Sequence, residues 1–254
     1  MKAFILELKE RSEPLFYFSL LCFLASLLFL VLTRFTVTQV GGVNAWYKPF
    51  KFALSIALYS STMAWLISYL PHFNQSLFAW SVIVLLGFEI IYITLQAARG
   101  QPSHFNVSSS LYASLYGLMA IAATAVSIYT AYIGVLFFKN DVPTLEGYYV
   151  WGIRLGILLF VIFSLEGFVM GSRLSHTIGA MDGGKGLPLV GWSTRYGDPR
   201  IAHFIGMHAL QVLPLASYYL LKDVKATIAL GIFYGVLALF TLIQALNGKP
   251  FIKF

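Results

Sequence analysis

Residues 15–33 read LFYFSLLCFLASLLFLVLT, without a single charge. At ~1.5 Å per residue this run makes a helix of roughly 28 Å, close to the thickness of bilayer hydrocarbon. A surface helix of a soluble protein keeps one polar face toward water. Here Leu and Phe occupy every face, so the segment belongs in lipid. Six further runs of the same kind follow, at 49–70, 77–98, 107–138, 148–171, 199–221 and 225–246. The expected fold is all-α, a polytopic bundle of about seven transmembrane helices in which residues 1–254 form a single membrane domain.

Composition agrees with that reading. The chain is 59% hydrophobic and 11% charged, against roughly 25% charged in a soluble domain. Its net charge of +7 implies a lipid bilayer as partner, because Lys and Arg collect at helix ends and meet headgroup phosphates; it does not imply nucleic acid. The lone Cys22 admits neither an intrachain disulfide nor a thiolate cluster. The leading MKAFILELKERSEP alternates in charge sign, and no A-x-A site follows the apolar run, so the first helix is expected to be retained. Ser12 is its expected N-cap, with Pro14 in the first turn. Asp198-Pro199 marks the start of the sixth span in the same way. The pairs Gly152/Gly156, Gly167/Gly171 and Gly231/Gly235 suit close helix packing. Lys48-Pro49-Phe50-Lys51-Phe52 echoes the C-terminal KPFIKF, but both read as headgroup anchors, and no internal duplication is otherwise visible.

Alternate crossing sorts the connections onto two faces. The N-terminal face, A, receives Lys2, Lys9, Arg11, Lys139, Lys222 and Lys225. Face B receives Arg34, Lys48, Lys51, Arg99, Arg173, Lys185, Arg195, Arg200, Lys249 and Lys253. Arg154 lies within the fifth span, on its A side, suited to snorkelling or to pairing. The excess on B makes it the cytoplasmic face of a plasma (inner) membrane protein, with the N-terminus outside.

Face B also carries the chemistry. The 27-residue connection 172–198 has the length of a lid or binding element, and Trp192, Tyr196 and Leu187-Pro188-Leu189-Val190 argue against disorder. Glu89, Gln96 and Arg99 share one stripe of the third span; Glu166, Met170 and Arg173 share one of the fifth; Lys48, Lys51, Ser55, Tyr59 and Thr62 share one of the second. From the helix rise, Glu89 lies roughly 15 Å, Glu166 roughly 10 Å and His208 roughly 13 Å below face B. An ionisable group at such depth costs roughly 2.5–3.5 kcal/mol, so it must face the bundle interior, be paired or be neutral. Glu89, Glu166 and His208 are therefore the candidate catalytic groups, expected to line one cavity open to face B. Gln96, Arg99, Asn106, Arg173, Arg200 and Gln211 are candidate substrate-binding residues. Free amides at the start of the sixth span suit an anion, as does Arg200. His104, His176, His203 and His208 are the candidate ligands for a haem or transition metal, in their neutral form.

There is no H-E-x-x-H, H-x-x-x-H, Walker or G-x-S-x-G motif. The seventh span lacks the lysine a retinal Schiff base would need there. The residues favour a membrane-embedded enzyme or haem/metal redox protein acting on a small or lipid-like molecule. The alternatives are a proton-coupled transporter, against which the odd helix count and missing duplication weigh, and a receptor or assembly protein. On the topology, a periplasm-active reporter fused after Phe254 is expected to be silent and one at 139–147 active; the opposite pattern reverses the orientation.

Overall fold

A computed structural model describes residues 2–184 and 186–253. Lys185 lies outside the described residues, as do Met1, Phe254 and the Lys2 side chain, so two of the bases sorted above are not placed. Among the described residues, seven helices are long and apolar enough to cross a membrane. These are α2 (Glu13–Phe35), α3 (Tyr47–Ile67), α4 (Gln75–Ala98), α5 (Ser110–Lys139), α6 with α7 (Gly147–Leu165 and Gly167–Arg173), α8 with a π turn (Arg200–Ala216 and Ser217–Leu221) and α9 (Val224–Leu246). Each falls within a few residues of its expected span. The molecule is thus an all-α, multi-pass helical bundle protein.

Local chemistry departs from expectation at three ends. A short helix, α1 (Lys2–Arg11), precedes the first span. Its Arg11 lies 3.9 Å over the Trp65 ring, donates to Ser68 Oγ at 2.6 Å and holds Glu7 at 2.8 Å. Ser12 occupies the N-cap position of α2, but its side chain makes no cap hydrogen bond. Helix α8 begins at Arg200, with Pro199 as N-cap. Pro214 then removes a helical N–H, and the next turn widens into the π turn at Ser217–Leu221.

The helices divide into two compact units, residues 1–126 and 127–254, with the boundary inside α5. Each unit, taken by itself, follows one plan. In the first, α2 packs chiefly on α3, and α4 packs against both; in the second, α6 packs chiefly on α8, and α9 against both. The third helix of each starts on an Asx cap: Asn74 Oδ1 accepts from Leu77 N at 2.9 Å, and Asp223 Oδ1 from Ala226 N at 2.8 Å. Each ends identically. Gly100 (φ 65°) and Gly248 (φ 72°) adopt the left-handed turn that glycine favours. The next amide returns to a glutamine carbonyl, Gln101 N to Gln96 O at 2.9 Å and Lys249 N to Gln244 O at 3.1 Å. That glutamine's Nε2 then donates to a proline carbonyl, Pro102 O at 3.2 Å and Pro250 O at 2.6 Å.

The first connections match as well. Gln39–Val40 (β1) pairs antiparallel with Val43–Asn44 (β2), and Gly186 bridges Ser193. Val40-Gly41 and Val190-Gly191 lie 150 residues apart (190 − 40), as do Pro49 and Pro199 (199 − 49). The two units thus share a succession of caps, turns and packing partners. The C-terminal Gly248-Lys249-Pro250 forms the same turn as Gly100-Gln101-Pro102. Helix α5 has no counterpart in this likeness.

The small-residue pairs act in packing. A Cβ on Gly152 would sit 3.0 Å from Leu213 O, and one on Gly156 would sit 2.9 Å from Ala209 O. Gly231 and Gly235 likewise receive Leu155 and Leu159. Gly156→Val should lower unfolding stability in detergent by about 1–3 kcal/mol through overpacking. Gly117→Ala, where the new methyl meets nothing within 4 Å, should be near neutral in the same thermal melt.

Candidate functional site

The first unit carries a polar stripe on α4. Glu89 (6% exposed), Tyr92 (6%) and Gln96 (1%) are buried, and Arg99 follows at the exposed C-cap. Steps of three, four and three residues keep these side chains on one face. Glu89 Oε1 and the Tyr92 hydroxyl are buried without a hydrogen-bond partner among the described residues. Gln96 and Asn106 are engaged in shaping the loop after α4: both donate to Pro102 O, and Asn106 Oδ1 accepts from Ser108 N at 3.2 Å and from Ser108 Oγ at 2.7 Å. His104 sits among aromatic rings, 5.3 Å from Phe52 and 6.1 Å from Tyr116, with Nδ1 3.2 Å from Ser103 Oγ. The expected α3 stripe does not face inward along its length, since Tyr59 is buried and Ser55 exposed.

The second unit centres on the break between α6 and α7. Glu166 occupies the break and is 7% exposed, with both carboxyl oxygens buried and without a hydrogen bond. His203 Nδ1 lies 2.7 Å from Phe163 O and 3.4 Å from Glu166 Oε2. A carbonyl only accepts, so Nδ1 carries the proton and directs it to Phe163. The carboxyl is near enough for charge attraction to a protonated imidazole, yet it receives no hydrogen bond. Gly167 makes this contact possible, because a Cβ there would stand 3.3 Å from the His203 ring. One turn further along α8, His208 Nδ1 meets Gln211 Oε1 at 3.2 Å, and its ring lies 4.4 Å from Phe204. Phe204 in turn supports Trp192 at 5.5 Å. Arg173 is exposed at the end of α7, and Arg154 donates from Nε to Phe137 O at 2.9 Å.

Residues 174–199 fold into a loop stapled by two aspartates. Asp182 accepts from Ser175 Oγ (2.9 Å), His176 N (2.9 Å) and Thr177 N (2.8 Å), and pairs with His176 Nδ1 (2.8 Å). Asp198, fully buried at its side chain, accepts from Ser193 N at 2.8 Å and from Arg200 Nε and Nη2 at 2.8 and 2.6 Å. Arg200 also donates to Gly191 O at 2.6 Å. Its fork therefore closes the loop, and His176 is engaged likewise. Ile178 bridges Gly197 across the loop's base.

Of the proposed site residues, Glu166, His203, His208 and Gln211 come together in the second unit; Glu89, Gln96, Arg99, His104 and Asn106 belong to the first. Among the described residues no three His, Cys, Asp or Glu side chains are gathered to hold a metal ion. Sequence reading missed Tyr92 and Asp182. Tyr92 continues the Glu89 stripe at helical spacing and could have been included by it; Asp182 carries no such signal, since its partners are set by the loop's path. No family model, curated protein or solved structure matches the chain.

Burial alone would raise the Asp182 carboxyl, but the hydrogen bonds and charge of His176, with Ser175, hold it below the usual carboxylate range. A carboxyl lowered by folding stabilises the loop while the pH exceeds its unfolded value near ~4, and that contribution is lost as the pH falls through the folded value. Limited proteolysis of the loop should therefore be slow at neutral pH and accelerate only in strong acid. Asp182→Asn should already be cleaved faster at pH 7; equal rates would show that the staple is idle.

Proposed function

We propose that this multi-pass membrane protein is a proton-coupled carrier of a small molecule, and the observation that carries this reading is the likeness of its two three-helix units. Internal repeats are a common construction of secondary transporters, since two similar bundles can rearrange around a fixed site. The likeness of caps and packing in the two units supports a repeat of three helices on either side of α5. The fold by itself decides no activity; the chemistry comes from the buried acids. Among the described residues, Glu89 Oε1 and both oxygens of Glu166 lack hydrogen-bond partners. An intramembrane carboxyl in that condition is suited to taking and releasing a proton as its exposure changes.

A second reading, the membrane-embedded enzyme favoured from sequence, is supported by the 3.4 Å approach of His203 to Glu166. His203 Nε2 would then serve as base, haem-iron ligand or single metal ligand, its ring held by the Nδ1 bond to Phe163 O. We rank this reading second because it leaves the buried Glu89 of the first unit without a part.

A hydrophobic carbodiimide reacts only with protonated carboxyls in apolar surroundings. Purified protein in proteoliposomes should be modified at Glu166 and Glu89, and Glu166→Gln or Glu89→Gln should remove the label at that position. Solutes screened by class should elicit a proton flux that Glu166→Gln abolishes without loss of folding. Failure of both acids to react in folded protein would overturn the carrier reading. A Soret band in the same preparation would favour the enzyme.

A further inference from the structure

A cleft of about 260 Å³ runs between α4 and the first turns of α5, wholly within the first unit. Its walls include Phe88, Ile91, Leu95 and Leu111. Three of these are open to the surroundings, with Ile91 62%, Leu95 49% and Leu111 65% exposed. On a transmembrane face that exposure means contact with lipid tails. Polar residues line the same cleft: Tyr92, Gln96, Arg99 and Tyr112.

Two of these groups are unsatisfied. Tyr92 is 6% exposed, lines the cleft, and its hydroxyl has no hydrogen-bond partner among the described residues. A buried hydroxyl without a partner costs about 1–3 kcal/mol, so an oxygen acceptor supplied from outside the chain is favoured there. Arg99 follows the last residue of α4, where the hydrocarbon ends. Three of the other six arginines are engaged, Arg11 by Glu7, Arg154 by Phe137 O and Arg200 by Asp198, whereas Arg34, Arg173 and Arg195 do not line this cleft. The Arg99 side chain has no such partner among the described residues. A guanidinium is the side chain best matched to a phosphate. An apolar trough with a cation at its membrane-surface end is complementary to one kind of molecule, an acyl chain joined to an anionic headgroup.

We propose that the α4–α5 cleft is a binding site for an anionic phospholipid, with the phosphate on Arg99, an ester oxygen accepting from Tyr92 and one acyl chain along Ile91, Leu95 and Leu111. The site is independent of the transport reading, since it needs neither Glu89 nor Glu166 to titrate.

The test uses the full chain in vesicles doped with a phospholipid carrying a photoreactive acyl chain, with either a phosphatidylglycerol or a phosphatidylcholine headgroup. Mass spectrometry of the labelled protein should place the phosphatidylglycerol adduct within residues 88–95 and 111–115, about fivefold above the phosphatidylcholine adduct, the ratio one cation near the surface supplies. Arg99→Gln should bring the two probes level without changing the thermal melt, and Arg99→Lys should restore part of the preference. Tyr92→Phe should weaken labelling by phosphatidylglycerol. Equal labelling by both headgroups, an adduct elsewhere on the chain, or no effect of Arg99→Gln would overturn the proposal. So would a crosslink joining two copies of the chain through this cleft, which would make it a protein contact.

Discussion

Hydrocarbon offers a peptide group nothing to hydrogen-bond with. Every N–H and C=O of a crossing segment must be satisfied within the chain, and helices meet that demand along their length but not at their ends. The ends are accordingly where this chain is most particular. Asn74 and Asp223 accept amides at two helix starts. Gln96 and Gln244 close two helix ends by reaching six residues ahead to a proline carbonyl. A proline cannot donate, so its carbonyl is its only backbone hydrogen-bonding group. The same solution appears in each unit, and it is the clearest mark of their likeness.

Removing water also removes the hydrophobic drive between helices, leaving packing and hydrogen bonds to hold them. Gly152 and Gly156 let α6 approach the backbone of α8, and Gly231 and Gly235 admit side chains of α6 onto α9. Gly167 lets the His203 ring lie against the α6–α7 break. Close packing and polar chemistry thus meet at one place, where Glu166 is buried beside an imidazole whose proton points elsewhere. Outside the hydrocarbon the logic changes. The 174–199 loop is held by Asp182 and Asp198 through charge-assisted bonds, which is why Arg200 and His176 are committed to the loop.

The seven spans were legible because lipid imposes a length and a polarity on every crossing segment, and residues such as 15–33 carry both in a single line of text. The buried carboxyls were legible for the converse reason: Glu89 and Glu166 stand in runs that otherwise exclude charge. Their immediate surroundings were not. Arg200 reads as an anion site in sequence, and only the loop's path brings Asp198 and Gly191 O onto its fork. The likeness of the two units was hidden because few side chains repeat; what repeats is a set of caps and turns, of which Gln-Ala-x-x-Gly-x-Pro is the longest trace in sequence.

By itself, then, the sequence determined that this protein lives in a bilayer, how many times it can cross, and which acids stand among apolar neighbours. These follow from transfer free energies, which are properties of a residue and its near neighbours along the chain. The tertiary structure decided which polar groups find partners: Arg200 does, while Glu166 and Tyr92 receive no hydrogen bond among the described residues. It also decided that two dissimilar halves adopt one plan. Hydrogen bonding depends on distances of about 3 Å between residues tens of positions apart, and no local property of the chain encodes them.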